Sequence, residues 1–221
     1  MLKLLSKNEQ WHCDGTFVSS PKLYKQTYII HSFYKDECYP CIYINIKNKD
    51  EAIYEKCLNI IVKLAKENYN IELKPKLFFG DFEEAAIKAF KQVFPGIVFT
   101  GCFFHFVQAI WRNIMKLGLW LEYTDANDKT IFKWLQLFKG LAFLPLDRIN
   151  DGLAFIQNIQ PNNEKCSQFL KYFISTWGNN NSKFPPLMWN HWDSYSKRTN
   201  NPLEGFNLGL NLDFRIFFLK I

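Results

Sequence analysis

The sequence has no apolar run that approaches the roughly 20 residues of a membrane-spanning helix. Its most apolar window, Phe214 to Leu219, is far too short, and so is the apolar run of the N-terminal segment MLKLLSKNEQ for a signal peptide. Internal repeats, low-complexity segments and a basic cluster typical of a nuclear localisation signal are also missing. These absences argue against a membrane, secreted or repeat protein.

A regular cysteine framework is missing as well. The chain has six cysteines at irregular spacing, in 221 residues. Disulfide-stapled proteins are typically short, with regularly spaced cysteines. We therefore expect free thiols in a reducing intracellular compartment. The six are Cys13, Cys38, Cys41, Cys57, Cys102 and Cys166.

Apolar and aromatic residues, by contrast, are abundant. Hydrophobic residues make up 48% of the chain and include 22 phenylalanines, enough for a large core. The length suits one domain with an insertion, or one domain and a small second one. The net charge of +6 permits a nucleic-acid partner without requiring one.

The hydrophobic periodicity predicts an α/β fold, a mixed five-stranded sheet flanked by helices, with an all-helical block before a last helix. Asp50 is the predicted N-cap of the first long helix, and Asn201 with Pro202 predicts the start of the last one. The predicted strands are 11–17, 26–33, 38–46, 74–81 and 96–102. The predicted helices are 51–68, 83–94, 104–121, 128–143, 147–158 and 164–177.

Three carboxylates lie where predicted elements end or begin. Asp14 ends the first strand at a glycine turn, Asp81 ends the fourth strand, and Glu204 lies in the first turn of the last helix. Sites in open α/β sheets collect at strand ends. Each residue also has a plain structural interpretation: an Asp-Gly turn for Asp14, a helix cap for Asp81 and a dipole contact for Glu204. Glu83 is a rival to Asp81 as a ligand.

Four segments together resemble the transposase domain of Mutator-like elements (MULE), a family of DDE transposases. They occur in the family's order and extend the resemblance over about residues 10 to 211. The segments are CDGTF (13–17), FGDFEEAAIKAF (79–90), GCFFHFVQAI (101–110) and TNNPLEGFN (199–207).

The resemblance implies an RNase-H-like fold and metal-dependent DNA cleavage and strand transfer. Residues 1–102 are then the first part of the RNase-H-like core, 103–196 a helical insertion, and 197–221 the last catalytic helix region, which we expect to be truncated. The implied partner is DNA, both transposon ends and target, in the nucleus. A homo-oligomer is a further expectation, because transposases act as multimers.

The resemblance also implies a metal-binding triad of Asp14, Asp81 and Glu204. Hard oxygen ligands suit two Mg²⁺ or Mn²⁺ ions about 3.5–4 Å apart. In the family's roles Asp14 bridges both ions, while Asp81 and Glu204 each hold one. Water attacks first to free a 3′-hydroxyl, which then attacks target DNA.

Several other residues have a functional and a structural interpretation. Cys102 and His105 form a CxxH pair that resembles one in the family, although a zinc site needs four ligands. Cys38 and Cys41 form a lone CxxC, interpreted as core or edge cysteines, because strand positions three apart point to opposite faces. Trp189 and Trp192 are interpreted as base-stacking or as packing residues. The candidate DNA contacts are Lys197, Arg198, Asn200 and Asn201; the lysines assigned to a solvated face are Lys22, Lys25, Lys47 and Lys49.

Two alternative functions remain open at this point. A domesticated transposase-derived protein would bind DNA or a partner without catalysis. An RNase-H-like nuclease of another kind is disfavoured by the helical insertion and by the TNNPLEG segment.

Overall fold

A computed structural model describes residues 1–17, 20–35 and 37–193. The described residues belong to two compact units, 1–100 and 101–193. The predicted last helix near Pro202 lies outside them, and so do five predicted site residues: Lys197, Arg198, Asn200, Asn201 and Glu204.

The first unit is built from strands and helices close to the predicted positions. A short helix, Leu2–Lys7, precedes the first strand. The sequence does not predict this helix, because six residues are too few to show a helical period. Its elements are α1 (Leu2–Lys7), β1 (Gln10–Thr16), β2 (Gln26–Tyr34), β3 (Glu37–Ile46), α2 (Glu51–Tyr69), β4 (Leu77–Gly80), α3 (Glu84–Val93) and β5 (Val98–Gly101).

The five strands form one mixed sheet in the order β3-β2-β1-β4-β5. β1 pairs antiparallel with β2 and parallel with β4, so it is the central strand, where the two pairing modes meet. The predicted α/β class with a five-stranded mixed sheet flanked by helices is thereby confirmed.

Helices α2 and α3 contact one face of this sheet through aromatic side chains. The Phe78 ring of β4 stacks on Phe90 of α3, with centroids 4.1 Å apart. Tyr28 of β2 meets Tyr54 of α2 edge-on at 5.1 Å, and all four residues are buried. Because aromatic burial and ring pairing both stabilise such contacts, this layer fixes α2 and α3 relative to the strand ends.

The start of α2 is capped as the sequence predicts. The Asp50 carboxylate accepts a hydrogen bond of 2.9 Å from the Ile53 backbone N–H. We expect Asp50→Ala to lower the free energy of unfolding by about 1 kcal/mol, because a helix N–H loses its partner. Urea unfolding measures this loss; Asp50→Asn, which keeps an acceptor, should lose much less.

The lone CxxC lies in β3, an edge strand of the sheet. Both cysteines are half-buried, and neither forms a disulfide with another described residue. The pairing register shifts between Ile30, opposite Ile42, and His31, opposite Pro40, which leaves Cys41 in a bulge. The bulge interrupts the two-residue alternation on which the opposite-face argument depends.

The second unit is helical, again near the predicted positions. Its helices are α4 (Phe103–Lys116), α5 (Trp120–Thr124), α6 (Thr130–Gly140), α7 (Ile149–Asn158) and α8 (Glu164–Trp177), with 3₁₀ turns at Leu141–Phe143, Leu146–Arg148 and Pro186–Met188. Its core is aromatic: Phe106 of α4 stacks on Trp189 and meets Trp177 edge-on. Across the described ranges, every helix is too short or too polar to cross a bilayer.

Candidate carboxylate site

The pairing of β1 with β4 brings two predicted site residues to the same edge of the sheet. In this parallel pair His12 lies opposite Phe79. Asp14 and Asp81 each lie two positions beyond that pair along their strands. Since the carboxyl ends of parallel strands coincide, both carboxylates lie at one edge of the sheet. The sequence predicts this placement at neighbouring strand ends.

Gly80 allows the two strand ends to approach closely. A Cβ atom on this residue would lie 3.2 Å from the Cys13 carbonyl oxygen and 2.9 Å from the Phe78 ring. Both neighbours are held in the sheet, so a larger residue would push β4 away from β1. The glycine immediately before Asp81 therefore fixes its distance from the strand that carries Asp14.

Asp14 lies within a strand and not in a turn. β1 continues through Gly15 to Thr16, in agreement with the predicted strand 11–17, so the alternative interpretation of Asp14 as a turn residue is wrong. Asp14 is 6% exposed, and its Oδ1 accepts the Gly15 backbone N–H at 2.9 Å. Asp14 therefore presents a buried carboxylate from within the strand.

Asp81 lies in an environment that perturbs its carboxyl group. Burial, followed by the nearby Glu83 and Asp14 carboxylates, raises its pKa to about 7, while Lys49 and the Glu83 backbone N–H act in the opposite direction. Its Oδ1 is buried and has no hydrogen-bond partner among residues 1–17, 20–35 and 37–193. Helix α3 takes Glu83 as its N-cap residue, so Asp81, two positions earlier, is not the cap. One oxygen of Asp81 is left for another ligand.

Glu83, the rival ligand, is held by two other side chains. Its Oε2 lies 2.6 Å from the Lys49 Nζ, and its Oε1 accepts a hydrogen bond of 2.5 Å from the Tyr54 hydroxyl. The Glu83 side chain is only 11% exposed. Glu83 Oε2 has no hydrogen-bond partner by angle but forms the close ion pair with Lys49, whereas Asp81 Oδ1 has no hydrogen-bond or ion-pair partner among the described residues.

The assignment of Lys49 to a solvated lysine face was wrong. Its side chain is 26% exposed, pairs with Glu83 and lies over the Phe17 ring at 4.7 Å. Lys49 lies 34 positions before Glu83 along the chain, so no local sequence pattern predicts this ion pair. Lys22, Lys25 and Lys47 are exposed, as predicted.

The donor chemistry of this edge suits a hard divalent cation. Two carboxylates lie at adjacent strand ends, and the Asp81 Oδ1 is buried and unpartnered. Oxygen donors of this kind are preferred by Mg²⁺ and Mn²⁺. Within residues 1–17, 20–35 and 37–193, no group of three or more His, Cys, Asp or Glu is placed to hold a metal; the predicted third ligand, Glu204, lies outside these ranges.

The Cys102–His105 pair lies at the start of α4. Cys102 is buried at the N-cap position, and His105 is half-buried in the first turn. Burial, with a smaller contribution from Arg112, lowers the pKa of His105 to about 4. The imidazole is therefore neutral at pH 7, and the described residues supply no further ligand that would complete a zinc site.

Trp189 and Trp192, each interpreted from the sequence as a base-stacking or a packing residue, differ in burial. Trp189 is completely buried in the core of the second unit, and its Nε1 donates to the Trp177 and Phe184 carbonyl oxygens. Trp192 is 49% exposed. Trp189 is thus a packing residue, and only Trp192 offers a ring face to a ligand.

Comparison with known families identifies the region that contains these strand ends. The model of the MULE transposase domain matches residues 10–109, which include Asp14, Asp81 and the Cys102–His105 pair. No match to the chain was found among curated proteins or among solved structures. The match indicates a transposase-related function. Residues 10–109 are therefore similar to the MULE transposase domain, and the resemblance first drawn from the motifs is confirmed over that region.

Proposed function

We propose that the chain is the catalytic core of a DDE-type transposase, with an RNase-H-like fold, that cleaves DNA and transfers the cut strand. The observation that carries this proposal is the placement of Asp14 and Asp81 at adjacent parallel strand ends, where Asp81 keeps a buried, unpartnered oxygen. The family match over the same strands supports it. Perturbed carboxylates cluster at functional sites more than elsewhere.

In this proposal Asp14 and Asp81 hold two Mg²⁺ or Mn²⁺ ions together with Glu204. Such ions polarise the scissile phosphate and activate the attacking oxygen. The chain's own contribution is to present the two carboxylates from rigid strands, at a separation that Gly80 makes possible. Burial, and after it repulsion from the Glu83 and Asp14 carboxylates, raises the pKa of Asp81, and a bound cation would relieve that repulsion.

DNA is the proposed partner, as transposon end and as target, and the nucleus is the proposed location. The family match and the net charge of +6 support DNA as the partner. A helical insertion at 103–196, the DNA contacts Lys197, Arg198, Asn200 and Asn201, and a homo-oligomeric state belong to the same proposal.

Calorimetric titration of Mn²⁺ tests the proposal directly. We expect the native chain to bind Mn²⁺, and Asp14→Asn and Asp81→Asn each to weaken binding at least tenfold, because each removes a charged ligand. Glu204→Gln should weaken it as well. Asp147→Asn, which changes an exposed acid of the second unit, serves as the control and should bind like the native chain.

Either outcome discriminates between functions. Loss of binding in both strand-end variants would place Asp14 and Asp81 in one metal site, and a DNA nicking assay with the same variants would follow. Absence of binding by a folded native chain would exclude the active enzyme and leave the alternative, a catalytically inactive or domesticated protein that binds DNA or a partner.

A further inference from the structure

The Tyr54 hydroxyl lies at the centre of a buried hydrogen-bond chain beside the carboxylate site. It donates to the Glu83 Oε1 at 2.5 Å and accepts from the Gln26 Nε2 at 2.7 Å. Tyr54 and Gln26 are buried, and Glu83 nearly so. We call the three residues the Tyr54 bridge. Three separate elements meet in it: β2, helix α2 and the residue that precedes helix α3.

Each end of the Tyr54 bridge touches one of the two carboxylate-bearing strand ends. At one end, a Cβ on Gly15 would lie only 2.9 Å from the Gln26 Nε2, so the Gln26 amide packs directly against the backbone that follows Asp14. At the other end, Glu83 lies two positions after Asp81, and its backbone N–H is close enough to the Asp81 carboxylate to lower its pKa. The bridge therefore runs from the backbone after Asp14 to the residue that precedes α3, beside the paired ends of β1 and β4.

We propose that Tyr54 is a positioning residue for the Asp14–Asp81 pair: by fixing the Glu83 side chain and the Gln26 amide, it holds the two strand ends in the geometry that binds metal. The inference rests on the proposed function, because it assigns Tyr54 a role at the same site. It also gives Glu83 a role, as a support for Asp81 and not as a metal ligand.

A tyrosine is suited to this place because a single hydroxyl must donate and accept at once. The carboxylate acceptor requires a donor, and the Gln26 N–H requires an acceptor. Burial and the hydrogen bond to Glu83 raise the pKa of the Tyr54 hydroxyl, so it keeps its proton across the physiological range. A phenylalanine fills the same space but satisfies neither neighbour.

The opposing explanation is that Glu83 is itself a metal ligand. In that case the Tyr54 hydroxyl competes with the metal for the Glu83 Oε1, and its removal frees the carboxylate. Tyr54→Phe would then leave Mn²⁺ affinity unchanged or raise it. If Tyr54 positions the site instead, the same substitution lowers the affinity. The direction of the change separates the two roles.

The matched control is Tyr172 in the second unit. Its hydroxyl also accepts a hydrogen bond, from the Trp177 Nε1 at 3.1 Å, and donates to the Ala109 carbonyl oxygen at 3.5 Å. Tyr172→Phe removes a hydroxyl of the same kind from a place remote in sequence from the carboxylates. Loss of melting temperature without loss of metal affinity is the signature of a merely structural hydroxyl.

The experiment measures the Mn²⁺ dissociation constant by calorimetry and the melting temperature for the native chain, Tyr54→Phe and Tyr172→Phe. We expect Tyr54→Phe to weaken Mn²⁺ binding roughly tenfold, since removal of groups that orient ligands costs about 10–100-fold in affinity. Both variants should melt a few degrees lower, but Tyr172→Phe should keep the native dissociation constant.

Unchanged or tighter Mn²⁺ binding by Tyr54→Phe overturns the proposal while leaving the proposed function intact. No binding by the native chain overturns both. If Tyr54→Phe does not fold, Gln26→Met takes its place, because it removes the donor at the other end of the bridge at similar length. It should also weaken Mn²⁺ binding, and native affinity in that variant would contradict the positioning role.

Discussion

Replacement of Asp81 by asparagine is expected to stabilise the metal-free protein at pH 8, by about 2–4 kcal/mol. The pKa of Asp81 is raised from 3.8 to about 7, chiefly by burial and then by Glu83 and Asp14. Each unit of that rise corresponds to about 1.4 kcal/mol of preference for the neutral form. Asparagine is neutral and keeps an acceptor for the Glu83 N–H, so it avoids the cost of a buried charge.

The sign of the pH dependence follows from the same shift. Between about pH 4 and pH 7 the folded protein keeps a proton on Asp81 that the unfolded chain has lost, so this group makes stability fall as pH rises through that window. Below pH 4 both states are protonated and the effect disappears. Asp81→Asn should therefore gain stability over the native chain at pH 8 but little at pH 4.

Urea unfolding at the two pH values, followed by hydrogen exchange in β1 and β4, measures the effect in the unit that contains Asp81. Asp147→Asn should change the free energy of unfolding by less than about 0.5 kcal/mol at both. Excess Mn²⁺ should stabilise the native chain but not Asp81→Asn, because a ligand stabilises only the state that binds it. Equal stability of native and variant chains at pH 8 would show that burial of the ionised Asp81 carboxylate does not lower the free energy of unfolding.

A site residue that costs stability is what a metal-binding role predicts. Proteins tolerate a buried, poorly satisfied carboxylate where function needs it and remove it elsewhere. The sequence predicts Asp14 and Asp81 as site residues because each lies towards the end of a predicted strand, and neighbouring strand ends gather ligands. The pairing of His12 with Phe79 then bears out that the two strands are adjacent and parallel.

The supporting residues of the site could not be predicted in the same way. Lys49, Tyr54 and Glu83 meet only after α2 has packed on the sheet, and contacts between distant segments leave no period in the sequence. Tyr54 falls on the apolar stripe of α2 and is indistinguishable there from a core residue. Local patterns predict elements and their ends; hydrogen bonds across elements depend on tertiary packing.

Backbone pairing, and not the local Asp-Gly sequence, determines the conformation at Asp14. Asp-Gly is typical of a turn, yet β1 pairs with β2 through Thr16, opposite Thr27. Ladder hydrogen bonds on the antiparallel side continue the strand past the glycine, since an unpaired backbone in a buried sheet is costly. Asp14 is therefore held inside the sheet, where its carboxylate has a fixed direction.

In the second unit the largest expected effect is that of Trp189→Ala. Trp189 is fully buried, lies parallel to the Phe106 ring at 4.9 Å and donates from its Nε1 to two backbone carbonyl oxygens. Truncating a buried tryptophan costs about 3–5 kcal/mol, and the two lost hydrogen bonds add to that. Such a loss approaches the whole stability of a typical domain, about 5–15 kcal/mol.

Trp192 is the matched control, because it lies three positions away and is 49% exposed. Trp192→Ala should change the free energy of unfolding by less than about 0.5 kcal/mol. Urea unfolding together with hydrogen exchange of the α4 and α8 peptides resolves the second unit from the first. If Trp189→Ala left the protection of α4 unchanged, the aromatic stack would not be what holds that unit together. A weakened affinity for single-stranded DNA in folded Trp192→Ala alone would assign base stacking to the exposed ring, the one of the two that a nucleotide can reach.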